Sequence, residues 1–221
     1  MNIVLLAPPA AGKGTQALIL AKRFNIPHIS TGNLFRERIK ENDLLGKKLA
    51  NILASGLLVD DEIVLDILTS RLEKDDCQNG FILDGFPRTI NQAKKLEELL
   101  VSKNKKLDYC FYLDVKKDIL IKRISGRRMC TKCGKIYNIY NEANKPQNNN
   151  LCDRCNISLV TREDDNINSY TKRYNEYQEK TEPLINYYKT HDLLYEIDGD
   201  RSVYEITEEI ISVMKRDELS D

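Results

Sequence analysis

Ile3-Val4-Leu5-Leu6-Ala7-Pro8-Pro9-Ala10-Ala11-Gly12-Lys13-Gly14-Thr15-Gln16 is the stretch that decides how this chain is read. Ile3 to Leu6 is short and wholly apolar, as a strand buried on both faces requires. A loop of small residues follows, and Ala17 to Phe24 then repeats apolar residues at helical spacing. A strand, a tight loop and a helix with Lys13 at its start describe a phosphate cradle. Backbone N–H groups and the helix N-terminus face an anion, and Lys13 adds positive charge for the outer phosphates. The loop departs from the strict pattern G-x-x-x-x-G-K-[ST], with Ala7 at the first glycine and Gly14 after the lysine. An ordinary strand-to-helix turn carrying an exposed lysine therefore stays open at this point.

Working outward, 221 residues hold one α/β domain with room for a small insertion. A hydrophobic content of 41% supports a real core, and 34 basic against 34 acidic residues leave no net charge. No global field therefore draws the chain to nucleic acid or to acidic membranes. No apolar run approaches the ~20 residues of a membrane helix. The opening run ends at Leu6 and has no basic region before it, so a signal peptide is not expected and a cytoplasmic location is. Six cysteines in such a setting point to metal or redox use before disulfides.

Alternation of strand and helix continues down the chain. His28-Ile29 reads as a second strand, and Ser30 to Asn33 as capping residues for a helix starting at Leu34. Helical patterns follow over Asp43 to Ser55 and Asp61 to Leu72. Gly80 to Asp84 is a strand ending in Gly85-Phe86-Pro87-Arg88, after which Thr89 caps a helix to about Leu100. Tyr109 to Leu113 is a strand and Lys116 to Ser125 a helix stopped by Gly126. From Arg127 to about Glu163 the helical period disappears, which marks a small inserted lobe. Asp165 to Lys189 reads as one long helix kinked or broken at Pro183. Leu193 to Ile197 gives a last strand and Val203 to Lys215 a closing helix, after which the terminus is expected to fray. Five short strands alternating with helices predict a five-stranded parallel sheet with helices on both faces. Ligands of such sheets bind beyond the carboxyl ends of the strands, which gathers the Ala7 to Thr15 loop, Asp84 to Arg88 and the end of the last strand around one crevice.

Arg36, Arg88, Arg123, Arg127, Arg162 and Arg173 sit at element boundaries, where guanidinium forks could clamp phosphate bidentately. Any one of them alone could equally be a solvated surface residue. Asp84 closes a strand beside the loop, where an acid could orient Mg²⁺-bound water or simply form a turn. With Gly14 in place of a hydroxyl, Mg²⁺ would be held mainly by phosphate oxygens and water. Cys130-x-x-Cys133, eighteen intervening residues and Cys152-x-x-Cys155 fit a closed tetrahedral zinc site. Such a metal would fold a lobe too small for its own core and would leave no open position for catalysis. A nucleic-acid zinc ribbon is the competing use, although the lobe mixes Lys and Arg with Asp and Glu.

Together these residues resemble adenylate kinase of the bacterial long form, with a zinc-bearing lid, from about Ile3 to Val203. The matching stretches are Ala11 to Gln16, Ser30-Thr31-Gly32, Leu83-Asp84-Gly85-Phe86-Pro87-Arg88-Thr89 followed by Gln92, Gly126-Arg127-Arg128, the cysteine quartet, Arg162-Glu163-Asp164-Asp165 and Pro183-Leu184. The resemblance implies phosphoryl transfer from Mg-ATP to AMP giving two ADP, by a monomer. Ala10, Ala11, Gly12, Lys13, Gly14 and Thr15 would cradle the ATP phosphates, with Ile136, Tyr137 and the backbone near Arg201 beside the base. Thr31, Arg36, Leu57, Leu58, Val59, Gly85, Arg88 and Gln92 would hold AMP. Arg123, Arg127, Arg162 and Arg173 would surround the group in flight. Residues 30–59 and 126–163 would be mobile lobes on a core of 1–29, 60–125 and 164–221. The chain departs from the family at Ala7 and Ala10, where glycine is usual, and at Asn33, where Asp is. If a glycine position needs positive φ, alanine there adds about 1 kcal/mol of strain. A GTP:AMP or UMP/CMP kinase is the nearest rival, and a nucleotide-binding regulator without turnover the more distant one.

Overall fold

Parallel strands need crossovers, and the alternating helices supply them. The computed structural model describes residues 1–142, 144–162 and 165–218. In order these form β1 (Asn2–Leu6), α1 (Lys13–Phe24), β2 (His28–Ser30), α2 (Thr31–Ile39), α3 (Leu44–Ser55), α4 (Asp61–Leu72), β3 (Phe81–Asp84), α5 (Ile90–Ser102), β4 (Tyr109–Asp114) and α6 (Lys117–Gly126). There follow β5 (Arg127–Met129), β6 (Ile136–Asn138), α7 (Ile167–Glu176), α8 (Pro183–Lys189), β7 (Leu194–Asp198) and α9 (Val203–Glu218). A 3-10 turn at Asp75–Cys77 precedes β3, and a π turn at Tyr177–Thr181 joins α7 to α8.

Five strands make one sheet in the order β2-β3-β1-β4-β7, with every pairing parallel. β1 is central, and its Leu5 stands opposite Asp84 of β3 and Phe111 of β4. The two-residue side-chain period divides each central strand between two cores. Val4, Leu6, Leu83 and Tyr112 pack with α2 to α5 and α8, while Ile3, Leu5, Ile82 and Phe111 pack with α1, α6 and α9. Order reverses at β1: β2 and β3 lie to one side, β4 and β7 to the other. The switch point therefore falls at the carboxyl end of β1, where the small-residue loop begins.

α1 starts at Lys13, as the sequence reading has it, with Gly12 as its cap residue. Two boundaries differ from that reading. α2 starts at Thr31 rather than Leu34, and the Ser30 side chain makes no capping bond. Thr31 instead spends its hydroxyl on the carbonyl of Gly85, so residues read as caps serve the neighbouring loop. The long helix begins at Ile167, where Asn166 accepts from Ser169 N at 2.9 Å. The π turn falls just before Pro183, which occupies the first turn of α8, where its missing N–H costs nothing. Glu163 and Asp164, where the lobe was expected to end, lie outside the described residues, as does the terminus beyond residue 218.

The inserted lobe is built on β5 and β6, an antiparallel pair of three residues each. Its buried cluster is Cys130, Tyr137, Cys152 and Leu159. Half of that cluster is cysteine, far too little apolar surface to fold the lobe alone.

Candidate functional site

The loop after β1 cannot be a strand or a helix. Pro8 and Pro9 offer no N–H, and Ala10 and Gly12 both sit in the left-handed region, at φ +69° and +100°. Gly12 meets that demand freely, whereas Ala10 carries about 1 kcal/mol of strain. Ala7 is outside that region and is 4% exposed in the core, so strain falls on one of the two suspected alanines. Ala10→Gly is accordingly expected to raise unfolding free energy by about 1 kcal/mol and to shift the ATP KM or kcat. Thermal unfolding and initial rates check this, and unchanged kinetic constants would contradict a functional role for the strain.

Lys13 Nζ folds back over the loop and donates to Ala7 O at 2.8 Å. Burial lowers its pKa to about 8; Asp84 opposes this, while Arg88, Arg173 and Arg127 add to it. Asp84 sits at the end of β3, opposite Leu5 and Ser30, and its Oδ2 lies 3.2 Å from His28 Nε2. Burial pushes that carboxyl up, but the His28 contact and the charges of Lys13 and Arg88 outweigh it and hold it below the usual carboxylate range. A Cβ on Gly14 would stand 3.4 Å from Asp84 Oδ2, so the absent side chain leaves the carboxylate open toward the loop.

Gly85 turns the chain out of β3 at φ +86°, and a Cβ there would come within 3.0 Å of Thr31 Oγ1. Thr31 Oγ1 and Arg88 Nε both donate to its carbonyl, at 3.0 and 2.8 Å. Burial, with Arg173 nearby, draws the Arg88 pKa down to about 10. Thr89 Oγ1 accepts from Gln92 N at 3.1 Å and starts α5 as the sequence predicts. A cleft opens here, lined by Pro9, Lys13, Gly56, Leu58, Arg88 and Arg173. Three cationic side chains gathered on one cleft make a site that asks for polyanions.

The other expected residues are placed unevenly. Arg123 donates to Ala11 O and to Gly199 O, both at 2.9 Å, which ties α6 to the loop and to the end of β7. Arg127 at the lobe's root donates Nε to Asp165 Oδ2 at 2.7 Å. Arg162 Nη2 lies 3.6 Å from Met129 Sδ on β5, and Arg36 Nη2 donates to Asn33 Oδ1 at 2.5 Å. Val59 is buried, while Leu57 is 53% exposed beside the cleft. Arg201 pairs with Asp198 at 3.3 Å and bonds Glu209, so its side chain is turned along α9. The Tyr137 ring is fully buried inside the lobe, its hydroxyl accepting from Asp153 N at 2.9 Å and lying 3.4 Å from Cys152 Sγ. Period two sends its side chain inward and leaves the half-buried Ile136 to face out.

Sequence reasoning missed His28, Asp61 and Thr181. Gln92 Nε2 donates to Asp61 Oδ1 at 2.6 Å, and Thr181 Oγ1 to Arg88 O at 3.0 Å. Each contact spans more than thirty residues of chain or joins separate elements, so no local pattern announces it. A polar residue opening β2 next to β3 was the available signal for His28.

Away from the cleft, the sulfurs of Cys130, Cys133, Cys152 and Cys155 all lie within 4.8 Å of one another, and Cys133 Sγ is 3.7 Å from Cys152 Sγ. Tetrahedral zinc–thiolate bonds of about 2.3 Å place sulfurs about 3.8 Å apart, so the quartet is compatible with a structural zinc.

Comparison with known proteins adds a last observation. The family described as Adenylate kinase matches residues 5–193. An adenylate kinase of Kosmotoga olearia is 49% identical over 210 residues, covering 95% of this chain and 97% of the relative. One of Finegoldia magna is 45% identical over 216 residues, covering 98% and 100%. One of Caldanaerobacter subterraneus subsp. tengcongensis is 44% identical over 221 residues, covering 100% and 99%.

Proposed function

The chain belongs to the adenylate kinase family, and from that premise we propose how its residues divide the work. The enzyme catalyses ATP + AMP ⇌ 2 ADP. The crowding of Lys13, Arg88 and Arg173 around one cleft carries the assignment of roles.

Residues Ala10 to Thr15 wrap the ATP phosphates, and Lys13 leaves Ala7 O to bridge to the transferred group. Arg36 and Arg88 grip the AMP phosphate. Thr31, Gly85 and the Leu57 to Val59 segment shape the pocket for its nucleoside, and Gln92 reads the adenine edge. Arg123, Arg127, Arg162 and Arg173 spread charge around the group in flight, which is what a loose, in-line phosphoryl transfer needs. Mg²⁺ arriving with ATP would supply further neutralisation of phosphate charge. The opened carboxylate face of Asp84 toward Gly14 suits a role orienting its water. The backbones of Ile136, Tyr137 and Arg201 border the donor base. Residues 30–59 and 126–163 close over the cleft and exclude water that would otherwise take the phosphoryl group. Cys130, Cys133, Cys152 and Cys155 would hold a zinc that braces the second of these lobes, with no position left open for chemistry. A monomer in the cytoplasm is the working form; no described helix is long and apolar enough to cross a membrane.

Arg36→Ala tests the acceptor half. It removes a charge-assisted contact with the AMP phosphate, so the AMP KM is expected to rise roughly tenfold or more while the ATP KM holds. Equal changes in both constants would contradict the division into two sites.

A further inference from the structure

Gln92 is 2% exposed, and both ends of its carboxamide are engaged. Oε1 accepts from Arg88 N at 2.7 Å, and Nε2 donates to Asp61 Oδ1 at 2.6 Å. A carboxylate only accepts and a backbone N–H only donates, so these two partners fix which end of the amide is oxygen. Asp61 is itself held, its Oδ2 accepting from Asn91 Nδ2 at 2.7 Å. It opens α4, directly after the Leu57 to Val59 segment, where a negative charge also favours the helix N-terminus.

We propose that Asp61 locks the orientation of the Gln92 carboxamide and so makes the acceptor site read adenine rather than a 6-oxopurine. The inference rests on the reading above that Gln92 faces the AMP base. Adenine offers an acceptor at N1 and a donor at its 6-amino group, while hypoxanthine offers a donor at N1 and an acceptor at O6. An amide can serve either edge, but only after turning over by half a rotation. Here that turn would set Oε1 against the Asp61 carboxylate and Nε2 against the Arg88 N–H. Burial of Gln92 keeps water from making good the two lost bonds. Asp61 touches no substrate and is a positioning residue.

The test measures AMP and inosine monophosphate as acceptors with ATP as donor. Asp61→Ala is expected to raise the AMP KM about tenfold, keep kcat at saturating AMP and the ATP KM, and raise the inosine-to-adenosine ratio of kcat/KM at least tenfold. The double exchange Asp61→Asn with Asn91→Asp returns an acceptor to Gln92 and a donor–acceptor pair behind it, and is expected to restore selectivity. An unchanged ratio in Asp61→Ala overturns the lock, as does failure of the double exchange to restore it. Gln92→Leu separates the two levels. If it leaves the AMP KM unchanged, the placement of the base at Gln92 fails; if it raises that KM while Asp61→Ala keeps full selectivity, the lock alone fails.

Discussion

Lys13→Met is expected to cut turnover by roughly 10²–10³-fold while making the ligand-free protein more stable to heat. The two effects share one cause. Lys13 is held as a cation where burial and three arginines disfavour the charge, with its pKa lowered to about 8. In the unfolded chain the same amine titrates near 10.5, so above pH 8 the unfolded state holds more protons than the folded one. The penalty is therefore full below pH 8 and fades as the pH climbs from 8 through 10.5. Methionine keeps most of the stem's packing without the charge, so its advantage should be largest near neutrality and shrink toward pH 10. Unfolding curves at several pH values, beside turnover at pH 7, check both halves. A variant less stable at pH 7 by more than its lost bond to Ala7 O would contradict the picture of a strained cation kept for phosphate.

Removal of the metal should have the largest effect on stability. β5 and β6 have three residues each, and the lobe's buried cluster of four includes Cys130 and Cys152 of the quartet. Metal binding and folding of such a lobe are one equilibrium. Stripping the metal with a chelator, or Cys152→Ala, is expected to lower the first thermal transition by about 10 °C or more. Turnover well below that transition should fall much less, because the cleft is lined by core residues and by Gly56 and Leu58 just after α3. Matching losses in stability and low-temperature turnover would contradict a purely structural metal. A metal-to-protein ratio near zero in freshly purified protein would contradict its presence.

Legibility in the sequence followed the range of the forces involved. β1, β3 and β4 were readable because each holds a compact apolar run buried on both faces. Strand order was not legible in any local pattern; the crossovers place β1 at the centre, where the order reverses and the loop begins. Thr89, Asp43 and Pro183 act through their nearest neighbours, and each behaves as its residue type dictates. Ala10 was flagged only by its departure from glycine, and its φ of +69° gives that departure a physical content. Less visible were contacts across elements, such as His28 with Asp84 or Asp61 with Gln92. They depend on how helices and strands come together, which no local spacing encodes. Which side of β6 Tyr137 faces depends likewise on the pairing with β5.

One measurement bears on the whole account: a phosphorus NMR time course of ATP with and without AMP, in the presence of Mg²⁺. The expected result is loss of ATP and AMP in equal amounts with two ADP formed for each pair, and negligible ATP loss when AMP is left out. No turnover with AMP, or comparable release of inorganic phosphate without it, would contradict the assignment of this cleft to phosphoryl transfer between two nucleotides.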